Sequence, residues 1–238
     1  MLFFYVRHGD PIYNPDQLTP LGERQAEAVA KRLALYGIDK IYSSTSNRAI
    51  QTAQPTAEIL KKDIEQLDFA KEGYAWREFT AKDSADRQKW LFQNDIIRPL
   101  LLDKKMRDLG DKWYEHPALA DSKCKEGIER ITAASDELFR NLGYEHIVGT
   151  GKYKVINDNN ERVALFAHQG FGLAFFSCFL DIPYPQFAMH FDMGHTGMTV
   201  VEFKNENGYA YPKILTLAND SHLYREGLPT KYHNEIYF

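Results

Sequence analysis

Two histidines in this chain stand in the same setting. Leu2-Phe3-Phe4-Tyr5-Val6 runs into Arg7-His8-Gly9, and Val163-Ala164-Leu165-Phe166-Ala167 runs into His168-Gln169-Gly170. Unbroken apolar runs of this length predict strands buried on both faces. In open α/β sheets, ligands bind beyond the carboxyl ends of the strands. If the two strands are parallel neighbours, His8 and His168 meet over that edge. Arg48, at the start of a helix after another strand, arrives at the same end. Arg7, His8, Arg48 and His168 then form a cationic cup that suits a tetrahedral dianion better than a neutral or planar molecule.

The chemistry of such a cup is phosphoryl transfer. A neutral imidazole is nucleophilic at one nitrogen when the other gives its proton to a carbonyl or carboxylate. His8 held that way can attack phosphorus in line. Arg7 and Arg48 offer forked donors to the equatorial oxygens, preorganised as in an oxyanion hole. His168 adds a further donor, protonated when phosphate is bound, and helix N-termini near Asn47 and Gly170 supply backbone N–H groups. A leaving alkoxide needs a proton, and water must later be activated; one carboxyl group can do both. Asp68, Glu72 and Glu78 all lie where the chain leaves the core region. Asp68 ranks first because Leu67-Asp68-Phe69 reads as a strand end, with Glu72 next. Gly170 and Gly172 read as close-packing or cap residues, since no Gly-x-Gly-x-x-Gly follows the first strand.

The elements that must position these groups alternate. After the first strand and a turn-rich stretch from Asp10 to Gln17, Thr19 can cap a helix with Pro20 in its first turn, and Gly37 can stop it. Ile38 to Tyr42 reads as a second strand ending at Ser43-Ser44. Ser46 or Asn47 can cap the next helix, through Ile50, Ala53, Ala57 and Leu60, with Pro55 predicting a kink or restart. This is the rhythm of a layered α/β domain. From about 70 to 145 it breaks into a mainly helical insertion, whose clearest helix holds Ile128, Ile131, Ser135, Leu138 and Leu142. Tyr74, Trp76, Trp90 and Trp113 either roof the cup or fill the core of that lobe. Residues 149–161 read as a hairpin or loop, and Gly170 to Leu180 as an apolar helix. Met198 to Phe203 and Ile214 to Leu217 read as strands, with Asn205-Glu206-Asn207-Gly208 as a turn between them. Little regular structure is expected from Ser221 onward.

The totals exclude several classes. Fifteen Phe, fourteen Tyr and three Trp in 238 residues provide a substantial core, against disorder. A net charge of -4 argues against a duplex nucleic-acid binder. No apolar stretch approaches the roughly 20 residues that span a membrane, and no basic leader precedes the first strand, so a cytoplasmic protein without a membrane partner is expected. Cys124 and Cys178 could pair, but Cys178 lies in an apolar run and reads as a buried thiol. Homo-oligomerisation is left open.

At these motifs the chain resembles the histidine phosphatase superfamily, or phosphoglycerate mutase-like group. Tyr5-Val6-Arg7-His8-Gly9 resembles its Arg-His-Gly signature, and Asn14 matches an asparagine usual after it. Leu18-Thr19-Pro20-Leu21-Gly22-Glu23-Arg24-Gln25-Ala26 is similar to its Leu-Thr-x-x-Gly-x-x-Gln-Ala segment. Ser44 to Ala53 resembles the stretch with the second phosphate-binding arginine, and Phe166-Ala167-His168-Gln169-Gly170 the second histidine motif. The resemblance implies a three-layer α/β/α sandwich with a mostly parallel sheet, one domain over 1–238, and a helical insertion over the active site. It implies His8 as the phosphorylated residue, with Arg7, Asn14, Arg48 and His168 around the phosphate of a small metabolite. It implies a carboxylic acid as donor, and neither metal nor nucleotide as an obligatory cofactor. The chain departs from the pattern in three places. Asp10 replaces a usual glutamate or glutamine, and the donor region reads Leu67-Asp68-Phe69-Ala70-Lys71-Glu72-Gly73-Tyr74. His195 stands where a small polar residue is common, and either touches substrate or serves the structure. A phosphomonoester hydrolase is the leading expectation. A mutase sharing the cup and a non-catalytic phosphate-ligand binder are the alternatives.

Overall fold

The computed structural model describes residues 1–230. The first half runs β1 (Leu2–Arg7), a short hairpin of β2 (Pro11–Ile12) and β3 (Gln17–Leu18), then α1 (Pro20–Tyr36), β4 (Lys40–Ser44), α2 (Asn47–Leu60) and β5 (Ile64–Leu67). Next come α3 (Glu72–Glu78), a hairpin of β6 (Thr80–Lys82) and β7 (Gln88–Trp90), the short helices α4 (Arg98–Leu101) and α5 (Lys104–Asp108), and the long α6 (Cys124–Asn141). The hairpin β8 (Tyr144–Ile147) and β9 (Lys152–Val155) leads to β10 (Arg162–Ala167), α7 (Gln169–Leu180) and α8 (Tyr184–His190). The chain continues through β11 (Met198–Glu202), β12 (Asn205–Glu206), β13 (Tyr209–Ala210), β14 (Lys213–Asn219) and α9 (Ser221–Arg225).

The central sheet has six strands in the order β14-β11-β1-β10-β4-β5. β1, β10, β4 and β5 are mutually parallel, and β11 is antiparallel to both of its neighbours. Successive residues of β1 face opposite sides, as pleating requires. Phe3 and Tyr5 join a cluster with Phe139, Phe175 and Phe179, and Phe4 and Val6 join Val29, Leu33 and Ala53. Helices α6 and α7 thus cover one face, α1 and α2 the other. A mostly parallel sheet covered on both sides needs apolar residues at every position of its inner strands, which is why β1 and β10 read as unbroken apolar runs.

Helix boundaries follow their chemistry. Thr19 accepts a hydrogen bond from Gly22 N, and Gly37 adopts the left-handed conformation that ends α1. The restart offered for Pro55 does not occur: α2 continues through it to Leu60. Pro55 lies on the half-exposed side while Ala53 and Ala57 hold the helix on the sheet. The last helix of the 70–145 stretch, α6, packs Phe139 against Phe3 with ring centroids 5.3 Å apart, and so belongs to a face of the sheet. The stretch before it includes the β6–β7 hairpin as well as helices. Trp90 and Trp113 are buried within the main apolar cluster, with Trp113 stacked on Tyr184 and Trp90 edge-on to Trp76.

Residues 205–208 are more than a turn: β12 and β13 pair there and extend the β8–β9 hairpin into a second sheet. The expectation of little structure after Ser221 is corrected by α9, which buries His222 and Leu223; residues 231–238 lie outside the described part. Cys124 and Cys178 are both free and buried. Among the described residues, no helix is long and apolar enough to cross a membrane.

The β8–β9 hairpin is tied to the helices by a buried histidine. His146, 1% exposed in its side chain, bonds Asp136 on α6 at 2.7 Å and Asp181, at the end of α7, at 3.0 Å. Burial pulls its pKa down, but the two carboxylates outweigh burial and raise it to about 9. A raised folded pKa stabilises the native state fully below the ordinary 6.5, and that contribution is lost as pH climbs through about 9. The contribution is on the order of 3 kcal/mol. Thermal melts between pH 6.5 and 10 should therefore show a steeper alkaline loss for wild type than for His146→Gln. Parallel pH curves would disprove the clamp.

Candidate active site

The register of the sheet decides whether the two strand-end histidines meet. β1 and β10 pair in parallel with Arg7 opposite Ala167, so His8 and His168 emerge side by side. Their ring centroids lie 5.2 Å apart. His8 N donates to Ala167 O at 2.9 Å, stitching the two strand ends together. β4 lies on the other side of β10, with Ser43 opposite Phe166, and so delivers Ser44 and then Arg48 to the same edge. His8, Arg7, Arg48 and His168 are all buried.

Each imidazole has a defined proton. His8 Nδ1 lies 2.7 Å from Gly9 O, which can only accept, so the proton is on Nδ1 and the lone pair on Nε2. His168 Nδ1 lies 3.1 Å from Arg48 Nη2, which can only donate. The His168 proton is therefore on Nε2, directed to Ser44 Oγ at 2.8 Å. In this state His168 accepts from Arg48 and does not offer a proton to the cup. Tyr5 fixes its backbone, donating to His168 O at 2.6 Å and accepting from His168 N at 3.2 Å.

The electrostatics favour neutral rings. Burial first, then the cost of adding a positive charge next to His168, Arg7, Arg48 and His195, holds the His8 pKa well below the ordinary imidazole value. Burial, Arg48 and Arg7 do the same to His168. A neutral His8 keeps its Nε2 lone pair through the physiological range.

Both arginines are held by a second layer of groups. Arg48 Nη1 donates to Asp16 Oδ1 at 2.6 Å, and Asp16 Oδ2 accepts from Asn47 N at 2.8 Å. Arg7 Nη1 donates to Met193 O at 2.6 Å, and its Nη2 donates to His195 Nε2 at 3.0 Å. The His195 proton then lies on Nδ1, 3.5 Å from Asp10 Oδ1. His195 touches an arginine of the cup and lies 5.8 Å from the His8 ring, centroid to centroid. The Nε atoms of Arg7 and Arg48 are buried donors with no partner among the described residues. Buried donors of this kind call for an acceptor, and a bound oxyanion is one that both arginines could share.

The carboxylates separate cleanly. Asp68 is exposed, and its oxygens accept from Thr45 Oγ1 at 3.4 Å and Tyr74 OH at 2.9 Å. Glu78 is taken up by Arg130 in a two-point pair at 2.7 Å each. Glu72 instead turns into the cup, accepting from Gly170 N at 3.0 Å and Phe171 N at 2.9 Å at the start of α7. Burial raises its pKa, against the opposing pull of Phe171 N, Arg48, Gly170 N and Arg7. The first rank given to Asp68 therefore does not match the geometry. A strand end placed it near the sheet edge, but its side chain bonds outward.

Two glycines make the approach possible. A Cβ on Gly9 would lie 2.6 Å from Gly22 O, so the His8 loop and the start of α1 cross closer than any side chain allows. A Cβ on Gly170 would lie 2.3 Å from the Trp90 ring, which presses on the start of α7.

Asn14 is exposed on the loop between β2 and β3, beside Tyr13, whose ring centre lies 5.2 Å from the Arg48 guanidinium carbon. Sequence reasoning missed Tyr5, Ser44, Asp16 and Thr52, whose hydroxyl accepts from Gly9 N at 3.0 Å. Ser44 carried a signal, as a polar residue closing an apolar strand. Asp16 carried none.

The profile of the histidine phosphatase superfamily (branch 1) matches residues 3–139. No curated protein matches the chain. Among solved structures, it is similar to phosphoserine phosphatase from Entamoeba histolytica in complex with 3-phosphoglyceric acid, at 18% identity and a TM-score of 0.58, over 93% of this chain and 98% of that one. A mycobacterial glucosyl-3-phosphoglycerate phosphatase gives 19% and 0.59, over 91% and 98%. The alpha-ribazole phosphatase from Shigella flexneri gives 15% and 0.58, over 92% and 97%. At these identities the likeness establishes the shared fold.

Proposed function

The chain belongs to the histidine phosphatase superfamily, and from that premise we propose that it hydrolyses small phosphomonoesters through a phosphohistidine on His8. The observation that carries the reading is the state of His8. It is a buried, neutral imidazole whose Nδ1 proton is held by Gly9 O, set beside His168 and two arginines whose buried Nε donors have no partner among the described residues.

In this mechanism Arg7 and Arg48 take the phosphoryl oxygens, and His8 Nε2 forms a bond to phosphorus as the ester P–O bond breaks. Protonated Glu72 gives its proton to the leaving alkoxide. The resulting Glu72 carboxylate then takes a proton from water as that water attacks phosphorus and the P–N bond breaks, restoring both groups. When the dianion displaces its bond to Arg48, His168 takes up a proton from solvent on Nδ1 and becomes a donor to phosphate. Glu72 is preferred to Asp68 because it combines a raised pKa with a position inside the cup. His195 acts through Arg7. A cytoplasmic setting belongs to the same reading, supported by two buried free thiols.

The direct test is to quench turnover of an aryl phosphate in alkali and search for a phosphoryl mass increment on the peptide containing His8. Turnover without any increment there would end the proposal. The clamp on Arg48 gives a further expectation. Asp16→Ala frees an arginine that is only 9% exposed in its side chain, and should lower kcat/KM by about 10- to 100-fold. Asp16→Asn, which keeps an oxygen for Nη1, should lose less. Steady-state kinetics within twofold of wild type for both variants would show that Arg48 is positioned without Asp16.

A further inference from the structure

The turn at 193–197, which leads into β11, is bonded to Arg7 along its whole length. Arg7 N donates to Gly197 O at 3.3 Å, and Nη1 donates to Met193 O at 2.6 Å. Nη2 donates to His195 Nε2 at 3.0 Å. Within the turn Gly197 N donates to Gly194 O at 2.9 Å, and Thr196 N reaches out to His8 O at 3.3 Å. The conformation of this turn therefore sets the Arg7 guanidinium and supports the backbone of His8.

Thr196 is the strained member of the turn. It is fully buried, and its φ is +54°. A β-branched residue rarely takes a positive φ, whereas glycine or asparagine takes it readily. A threonine here needs a reason, and its hydroxyl supplies one. That hydroxyl donates its single proton to His195 O at 2.7 Å, so it must accept from His222 Nε2 at 3.0 Å. Burial and then Arg32, opposed by Asp220, lower the His222 pKa to about 4, so the ring is neutral at physiological pH. Its one proton is therefore on Nε2, directed at Thr196. The segment that carries His222 is seated firmly on α1. Leu223 and Leu228 cluster with Ala28, and Glu226 pairs with Lys31 at 2.6 Å.

From this chain of contacts we infer that His222 is a positioning residue for the phosphate cup, holding Thr196 in the left-handed conformation that presents His195 to Arg7. The inference rests on Arg7 as a phosphate-binding residue, as proposed above, but not on a phosphohistidine. A histidine that only filled space beneath α9 would need neither a ring proton on Thr196 nor a threonine at a positive φ. Without the His222 donor, the hydroxyl is free to turn from His195 O, and the strained backbone loses the bond that holds it. His195 then leaves its place against the guanidinium.

Calorimetric titration with inorganic phosphate reads the cup directly, whatever the fate of the phosphoryl group in turnover. His222→Leu fills the site without a donor and should weaken phosphate by about tenfold, the effect of one lost buried hydrogen bond. His222→Gln offers an amide N–H to Thr196 and should bind within about threefold of wild type. In His195→Ala the link to Arg7 is already cut, so adding His222→Leu should cost less than about twofold more. Thr196→Gly covers the case in which His222→Leu fails to fold. Glycine takes a φ of +54° freely, so the turn forms without the hydroxyl, and phosphate should again weaken by about tenfold. Wild-type affinity in folded His222→Leu or Thr196→Gly, or a full tenfold loss from His222→Leu on top of His195→Ala, overturns the proposal. A wild-type protein that binds no phosphate overturns it together with the cup itself.

Discussion

His8→Ala should abolish turnover, lowering kcat by about 10⁴-fold or more on every phosphomonoester, as removal of a covalent nucleophile does. The loss should not depend on the leaving group, because the missing step is capture of the phosphoryl group itself. Folding should survive the change. The bonds from His8 N to Ala167 O and from Thr196 N to His8 O are made by backbone atoms and remain in the alanine variant. A variant with a wild-type melting profile and residual activity above a hundredth of the original would show that His8 is not the attacking group. The pH profile supplies a second check. Since the His8 pKa is depressed by burial and by neighbouring positive charge, the nucleophile stays neutral below 6.5. The acid limb should lie well below the value of an ordinary imidazole, and activity should fall only as pH drops through that lowered pKa.

Glu72→Gln carries the second large effect, and here the leaving group matters. An alkyl alkoxide needs its proton, so kcat on a sugar or alkyl phosphate should fall by about 10²- to 10⁴-fold. An aryl phosphate leaves as a stable phenolate and should lose less. Asp68→Ala, which removes an exposed carboxylate bonded to Thr45 and Tyr74, should stay within about threefold of wild type on both, as surface changes usually do. The sign of the pH dependence follows from the role. A donor must be protonated, burial raises the Glu72 pKa, and so alkyl phosphate turnover is retained below that raised pKa and lost as pH climbs through it. Glu72→Gln should remove this alkaline limb. Equal losses on both substrate classes, or a larger loss in Asp68→Ala than in Glu72→Gln, would reassign the acid.

The proposed nucleophile and the proposed acid differ in how legible they were. His8 and His168 were readable because each closes an unbroken apolar run, and a parallel register then leaves them only one place to meet. Arg48 followed from the helix after the next strand. Asp68 and Glu72 could not be ranked from the chain, because what distinguishes them is contact with Gly170 and Phe171, 98 and 99 residues from Glu72. Nothing local to Leu67-Asp68-Phe69-Ala70-Lys71-Glu72 records which side chain turns inward. The same applies to His195, whose arginine partner lies 188 residues away. α9 escaped notice because a five-residue helix shows only one or two buried positions, too few for a period. The restart read at Pro55 failed for the opposite reason: a local rule was outweighed by small residues that hold α2 to the sheet.

The contact of Trp90 with Gly170 has a consequence for how such an enzyme could diversify. On the proposed mechanism the attacking ring hangs from the central sheet, while the acid rides on α3, outside the sheet, against a helix end pressed by the β6–β7 hairpin. Capture and release are thus delegated to different parts of the molecule. Substitutions in the outer part can shift which alcohols depart readily without disturbing the chemistry of capture, so a change of diet requires no new engine.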